Sequence, residues 1–303
     1  MASVNLLPNF LIIGAAKSGT TALYDLLKQH PQVYLPFDKE PLFFSRDDYF
    51  AQGAEWYAER YFKEGESFRA RGEATPHYLY WAEKVAPRIA QTFGGRPPKF
   101  IAIFRDPVQR AYSWYWNMVR EGFEKLDFES ALEAEPRILK ERQGEFESFG
   151  LMTFGYVRGG RYATQLEFYL ALFPRERFLF LLQEDLQPAY LDSTMRRVFA
   201  FLEVDADVQV HEVTSNPAAM PRSRFVHTIL HRGSRVKEWL KLRMPYRLRY
   251  RIKQTLTETN MQAFDYPPLD PKIAGRLRET FADEVQRLST LIGRDLSHWI
   301  ANK

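Results

Sequence analysis

The sequence predicts an α/β fold in which a central parallel sheet is flanked by helices. Short apolar runs alternate with helical patterns along the chain, as parallel strands joined by helical crossovers do. Two of these runs, residues 10–13 and 100–104, each lead through a short loop straight into a helix. With 303 residues, 45% hydrophobic and 15% aromatic, the chain can bury one large core. The expected organisation is a single domain, with its core at about 8–205 and 259–303 and a basic helical insertion at about 221–258.

The strands are expected at 10–13, 33–35, 69–73, 100–104 and 178–182. A helix over 21–29 carries Leu23, Leu26 and Leu27 on its inner side, and one over 81–92 follows the third strand. The helix over 107–120 begins with Pro107, where a missing N–H costs nothing and φ is already helical. Tyr162, Leu166, Tyr169 and Phe173 share one helical face, as do Ile273, Leu277, Phe281, Val285, Leu288 and Ile292. Short loops at 96–98 and 173–175 separate the units. Residues 125–160 are polar and punctuated by Gly, which suits a helical insertion or a mobile flap. The chain shows no internal repeat and no low-complexity tract.

Composition narrows the chemistry. The chain has no Cys, so disulfides, thiolate catalysis and Cys-ligated metal clusters are excluded. Residues 1–8 lack a basic leader, and the next apolar run is four residues, against the ~20 of a membrane span. No signal peptide or transmembrane helix is expected, and a cytoplasmic or membrane-associated location follows. The net charge of +4 is unevenly spread: eleven Lys and Arg lie between Pro221 and Lys253, opposed by Glu238 alone. The rest of the chain holds 31 basic and 37 acidic residues.

The most informative stretch is Gly14-Ala15-Ala16-Lys17-Ser18-Gly19-Thr20-Thr21, between an apolar strand and a helix. Backbone N–H groups converge at such a helix start, and the helix dipole favours negative charge. Lys17 adds a point cation, while Ser18, Thr20 and Thr21 add hydroxyl donors. A nucleotide-handling enzyme is the first expectation. In the nucleotide-triphosphatase loop, G-x-x-x-x-G-K-[ST], Lys follows the second Gly, whereas Lys17 precedes Gly19.

A second motif, Arg105-Asp106-Pro107-Val108-Gln109-Arg110-Ala111-Tyr112-Ser113, ends the strand over 100–104. Arg105 sits where open α/β sheets bind ligands, and Ser113 lies two turns into the helix. A guanidinium fork with a hydroxyl suits a terminal phosphate.

The two motifs together resemble the sulfotransferases that use 3′-phosphoadenosine 5′-phosphosulfate. Further segments are similar to theirs: Leu27-Lys-Gln-His30-Pro31-Gln-Val33, Lys39-Glu40-Pro-Leu-Phe43-Phe44, Gly72-Glu73-Ala-Thr75-Pro76-His-Tyr78, Glu184-Asp185-Leu186 and Leu296-Ser-His-Trp299. The likeness covers about 10–202 and 266 onward, and is greatest to heparan-sulfate and related carbohydrate enzymes, including bacterial members. It implies a P-loop-like sulfotransferase fold. It also implies that Lys17, Ser18, Gly19, Thr20 and Thr21 hold the 5′-phosphosulfate, and Arg105 with Ser113 the 3′-phosphate. Glu40, just before the paired aromatics, takes the place of the general base, and Lys17 serves the bridging oxygen electrostatically. The implied reaction passes a sulfuryl group to a hydroxyl of a carbohydrate or polysaccharide acceptor. It needs no metal, and the six scattered His show no metal-ligand spacing.

Several features depart from that pattern. Ala74 stands where the heparan-type enzymes often carry Lys, so one cation is missing or comes from elsewhere. Their late Lys-Gly-Arg segment is not recognisable before Tyr266-Pro267, which leaves Arg222 and Arg224 as candidate replacements. Glu73 is the rival base, since it ends a strand beside the same crevice. His30 reads as structural. The basic stretch 221–253 suits peripheral contact with anionic lipid, guidance of an anionic glycan, or a merely solvated hairpin. No nucleic-acid recognition motif is present. The rival functions are a nucleotide-dependent kinase with a variant phosphate loop and a non-catalytic anion- or membrane-binding protein.

Overall fold

The computed structural model describes residues 6–141, 154–213, 219–223, 255–256 and 259–301. Its sheet has five strands: β1 (Phe10–Gly14), β2 (Val33–Tyr34), β3 (Ala70–Ala74), β4 (Lys99–Phe104) and β5 (Phe178–Leu182). They run in the order β2-β3-β1-β4-β5, and every neighbouring pair is parallel. The strands lie where the apolar runs place them, with ends moved by a residue or so. A two-stranded antiparallel ribbon, β6 (Ala219–Pro221) with β7 (Met261–Ala263), stands apart from the sheet.

The α-helices in chain order are α1 (Thr20–Leu27), α2 (Asp47–Phe50), α3 (Gly53–Phe62), α4 (His77–Tyr80), α5 (Ala82–Phe93), α6 (Pro107–Glu121), α7 (Phe128–Glu141), α8 (Tyr162–Leu170), α9 (Leu191–Leu202) and α10 (Pro271–Ile292). Side chains alternate across the strands and build two cores. Phe10, Ile12, Ile101, Ile103 and Leu181 face α1 and α9. Leu11, Ile13, Phe100, Phe104, Phe178 and Phe180 face α5, α6, α8 and α10. A sheet covered on both faces needs near-continuous apolar strands, and β1 is buried at all five positions.

The region over 125–160 resolves partly as expected. Helix α7 occupies its first half, and buried Glu135 accepts hydrogen bonds from the Val157 and Arg158 N–H groups at 2.7 and 2.8 Å. Residues 142–153 lie outside the described residues. So does nearly all of the expected basic insertion, of which only 221–223 and 255–256 are described.

The end of the chain is pinned beneath β5. Arg294 grips Asp185 through contacts of 2.8–3.1 Å, and Trp299 donates its indole N–H to Glu184 at 3.2 Å. His30 is buried and structural, as its sequence context suggests. Its Nε2 donates to the Asp205 carbonyl at 2.9 Å, while Nδ1 accepts from the Gln32 N–H at 3.0 Å.

Candidate active site

In the strand order β1 is flanked by β3 on one side and β4 on the other, so the chain reverses direction of travel at its carboxyl end. That arrangement opens a crevice there. The loop leaving β1 is tied to the next strand by the Ala15 N–H, which donates to the Ile103 carbonyl at 2.8 Å. Lys17 and Gly19 both take left-handed backbone angles, φ 68° and 105°, and turn the chain into α1. For Gly19 this is unstrained; Lys17, which has a Cβ, holds it only because the surroundings fix it. No side chain caps α1, so its first-turn N–H groups remain available to an anion.

The second wall is α6. Asp106 caps it, accepting from the Val108 and Gln109 N–H groups at 2.8 and 3.3 Å, and Pro107 opens its first turn. Arg105, just ahead of the cap, donates to the Lys17 carbonyl at 3.4 Å and so joins the two motifs directly. Arg110 turns inward and is 1% exposed. It donates to the Ala16 carbonyl at 3.3 Å and to those of Gly155 and Tyr156 at 3.2 and 3.1 Å. Gly159 must be Gly, because a Cβ there would lie 2.1 Å from the Arg110 guanidinium.

Between these walls lies a cavity of about 470 Å³. Lys17, Thr20 and Thr21 line it from the loop and α1. Arg105, Gln109, Ser113, Asn117 and Arg120 line it from α6 and the residue run before it. Lys39, Glu40, Pro76 and His77 close the opposite side, and Tyr266 stands at the lip. The Tyr266 ring stacks on Trp116 at 5.4 Å, and Tyr112 donates to the Pro267 carbonyl at 2.8 Å, which fixes that lip to α6.

The electrostatics are those of an anion site. Burial, followed by the positive charges of Arg120, Arg105 and Arg110, lowers the Lys17 ammonium to a pKa of about 8. Glu121 opposes that shift. Burial also holds Arg105 below its ordinary range. Such crowding of like charge is costly without an anion among them. Glu40 also has left-handed backbone angles, φ 67°. Its two oxygens face Lys39 Nζ at 3.1 Å and His77 Nε2 at 3.8 Å. Burial would raise the Glu40 carboxyl, but His77 and Lys39 outweigh it and hold it below the ordinary carboxylate range. His77 itself is pushed down by burial.

Of the residues expected from sequence, Lys17, Thr20, Thr21, Arg105, Ser113 and Glu40 meet in this one cavity. The side chain of Ser18 does not: it is fully buried against the Tyr162 phenol. Gly19 lines a different cavity, beside Gln183 and Leu186. Both therefore face this cavity with backbone at most. Glu73, the rival base, is absent from the cavity wall and fully buried. Tyr57 and Tyr78 donate to one of its oxygens at 2.7 Å each, and Thr75 to the other at 2.6 Å. Burial raises its carboxyl to a pKa of about 7 against those three donors. Arg222 is exposed and stands outside the cavity wall, and Arg224 lies outside the described residues.

Sequence reading missed His77, Asn117 and Arg120 as site residues. Gln109, Ser113 and Asn117 recur at four-residue intervals, and Arg120 follows three later. That polar stripe on an otherwise apolar helix was a usable signal.

The profile of a family described as "Sulfotransferase domain" matches residues 7–256. Over 299 residues the chain is 26% identical to the mouse protein "Heparan sulfate glucosamine 3-O-sulfotransferase 5", covering 97% of this chain and 75% of that one. It is 41% identical over 111 residues to "Membrane-associated sulfotransferase kil1" of Dictyostelium discoideum. That match covers 36% of this chain and 22% of the relative. A fly protein, "Bifunctional heparan sulfate N-deacetylase/N-sulfotransferase" of Drosophila melanogaster, is 26% identical over 65% of this chain and 20% of its own length. The chain thus matches about a fifth of each of these last two relatives. Among solved structures, a sulfotransferase from Alicyclobacillus acidocaldarius superposes with a TM-score of 0.68 at 28% identity. The superposition covers 97% of this chain and 99% of that one. Among the described residues, no helix is long and apolar enough to cross a membrane.

Proposed function

The chain belongs to the sulfotransferase family, and from that premise we propose that it transfers a sulfuryl group from 3′-phosphoadenosine 5′-phosphosulfate to a hydroxyl of a carbohydrate or polysaccharide. The observation that carries this reading is the shared cavity: Lys17, Arg105, Ser113 and Glu40 all line it, at the carboxyl ends of β1 and β4. The open N–H groups of α1, with Lys17, Thr20 and Thr21, receive the 5′-phosphosulfate. Arg105 and Ser113 receive the 3′-phosphate. An acceptor hydroxyl entering from the Glu40 side attacks sulfur in line. As the new O–S bond forms, the bond from sulfur to the phosphate oxygen breaks. The hydroxyl proton passes to the Glu40 carboxylate, and Lys17 stabilises the charge left on the departing phosphate. Adenosine 3′,5′-bisphosphate leaves. The carbohydrate acceptor is supported by the heparan sulfate enzymes among the relatives. The whole chain is read as one catalytic domain, with its core at about 8–205 and 259–303.

Calorimetry with adenosine 3′,5′-bisphosphate, against ATP with and without magnesium, tests the donor half. The bisphosphate binds more tightly than ATP without magnesium, and Arg105→Ala weakens it roughly 10- to 100-fold. Equal binding of ATP, or an indifferent Arg105→Ala, overturns the donor assignment. Transfer of radiolabelled sulfate to fully desulfated heparan tests the acceptor half.

A further inference from the structure

We propose that Arg120 binds the sulfuryl group itself, so that Arg120 and Lys17 hold the transferring group from two sides. This rests on the donor assigned above and adds a residue to which neither the motifs nor the family likeness points. Three arginines surround Lys17, and two are accounted for. Arg110 donates to three carbonyl oxygens and is 1% exposed, so it is structural. Arg105 lies at the start of α6, at the end assigned to the 3′-phosphate. Arg120 lies seven residues beyond Ser113 on the same helix, about 10 Å further along its axis, and lines the same cavity as Glu40.

The side chain is aimed rather than loose. Its Nε donates to Glu121 at 3.1 Å and one Nη to Asn117 at 2.7 Å. These bonds leave the other Nη and part of the fork free to turn to the cavity that Arg120 lines. It is partly buried, with 23% of the side chain exposed. Among the charges acting on Lys17, that of Arg120 is the largest. An oxyanion drawn to Lys17 is therefore also drawn to Arg120, and a fork fixed by two acceptors spends little reorganisation on meeting it. With Ala74 in place of the cation that heparan-type relatives often carry, Arg120 supplies positive charge from another element.

The test needs no acceptor. Affinities for adenosine 3′,5′-bisphosphate and for 3′-phosphoadenosine 5′-phosphosulfate differ by the sulfuryl group alone. Arg120→Ala should weaken the phosphosulfate roughly 10- to 100-fold and leave the bisphosphate within about threefold. Arg120→Lys, which keeps the charge and loses the fork, should fall between. Thermal melting of each variant reports whether the fold survives. Equal losses for both nucleotides, or no loss for either, overturn the proposal. If the unaltered protein binds neither nucleotide, the donor assignment fails instead, and that outcome is distinct.

Discussion

Glu40, in the loop that follows β2, and Glu73, near the carboxyl end of neighbouring β3, carry the same side chain and live in opposite surroundings. Glu40 faces a cavity, keeps 34% of its side chain exposed, and is flanked by the Lys39 ammonium and the His77 imidazole. Glu73 is sealed in the core and held by three hydroxyls. Charge partners hold the first below the ordinary carboxylate range, whereas burial raises the second to about 7. The negative charge of Glu40 itself adds to the raising of Glu73. The two carboxylates are thus set apart by what each touches, although both belong to segments with the same family likeness.

The largest effect expected from this contrast is on rate. Glu40→Gln should lower kcat about 10²- to 10⁴-fold, the usual contribution of a positioned base, with almost no change in thermal midpoint. Replacing this partly exposed carboxylate by its amide of the same shape leaves packing intact. A variant that keeps near-normal turnover removes Glu40 from the role of base and breaks the contrast at its reactive end.

Next in size is the effect of Glu73 on stability. Glu73→Ala leaves the Tyr57, Tyr78 and Thr75 hydroxyls without their buried acceptor and should cost about 3 kcal/mol or more, read by denaturant unfolding. Its titration has a definite sign. The folded-state value lies above the ordinary 4.5 of a Glu carboxyl, so the native state holds the proton more tightly. The contribution is complete below about 4.5 and is lost as pH rises through about 7. Glu73→Gln, which cannot ionise, should flatten the fall in stability across that window. An unchanged pH profile would mean that Glu73 stays ionised in the folded protein.

Much of this was legible in the chain because it is local. A strand run, the 14–21 loop and a helix start are contiguous, and so are Arg105, the Asp106 cap, Pro107 and Ser113. Short-range rules reach them all. The directions of Ser18 and Gly19 were not legible, because a left-handed turn at Lys17 and Gly19 decides which neighbours face the cavity. Nor was the difference between Glu40 and Glu73, since the hydroxyls on Glu73 arrive from the turn after β3, from α3 and from α4. His77 and Tyr266 reach the cavity only through tertiary packing. The α6 stripe was readable as a pattern, but nothing in the pattern says what lies opposite.

The smallest effect concerns the two neighbours that hold Glu40. Lys39 and His77 act in the same direction on its carboxyl, while burial acts against them. Each neighbour draws the carboxyl down against burial, so Lys39→Met and His77→Phe should each raise the Glu40 pKa. The acid limb of the kcat/KM profile then moves to higher pH, and further in the double variant than in either single one. The group loses a proton to become the active base, so activity at low pH falls while the neutral plateau is largely kept. With a third of the Glu40 side chain in solvent, screening limits each partner, and turnover at pH 7 should stay within roughly fivefold. A limb that moves to lower pH, or stays in place in the double variant, would show that these neighbours do not set the ionisation of Glu40. Its likeness to Glu73 would then be closer than their surroundings imply.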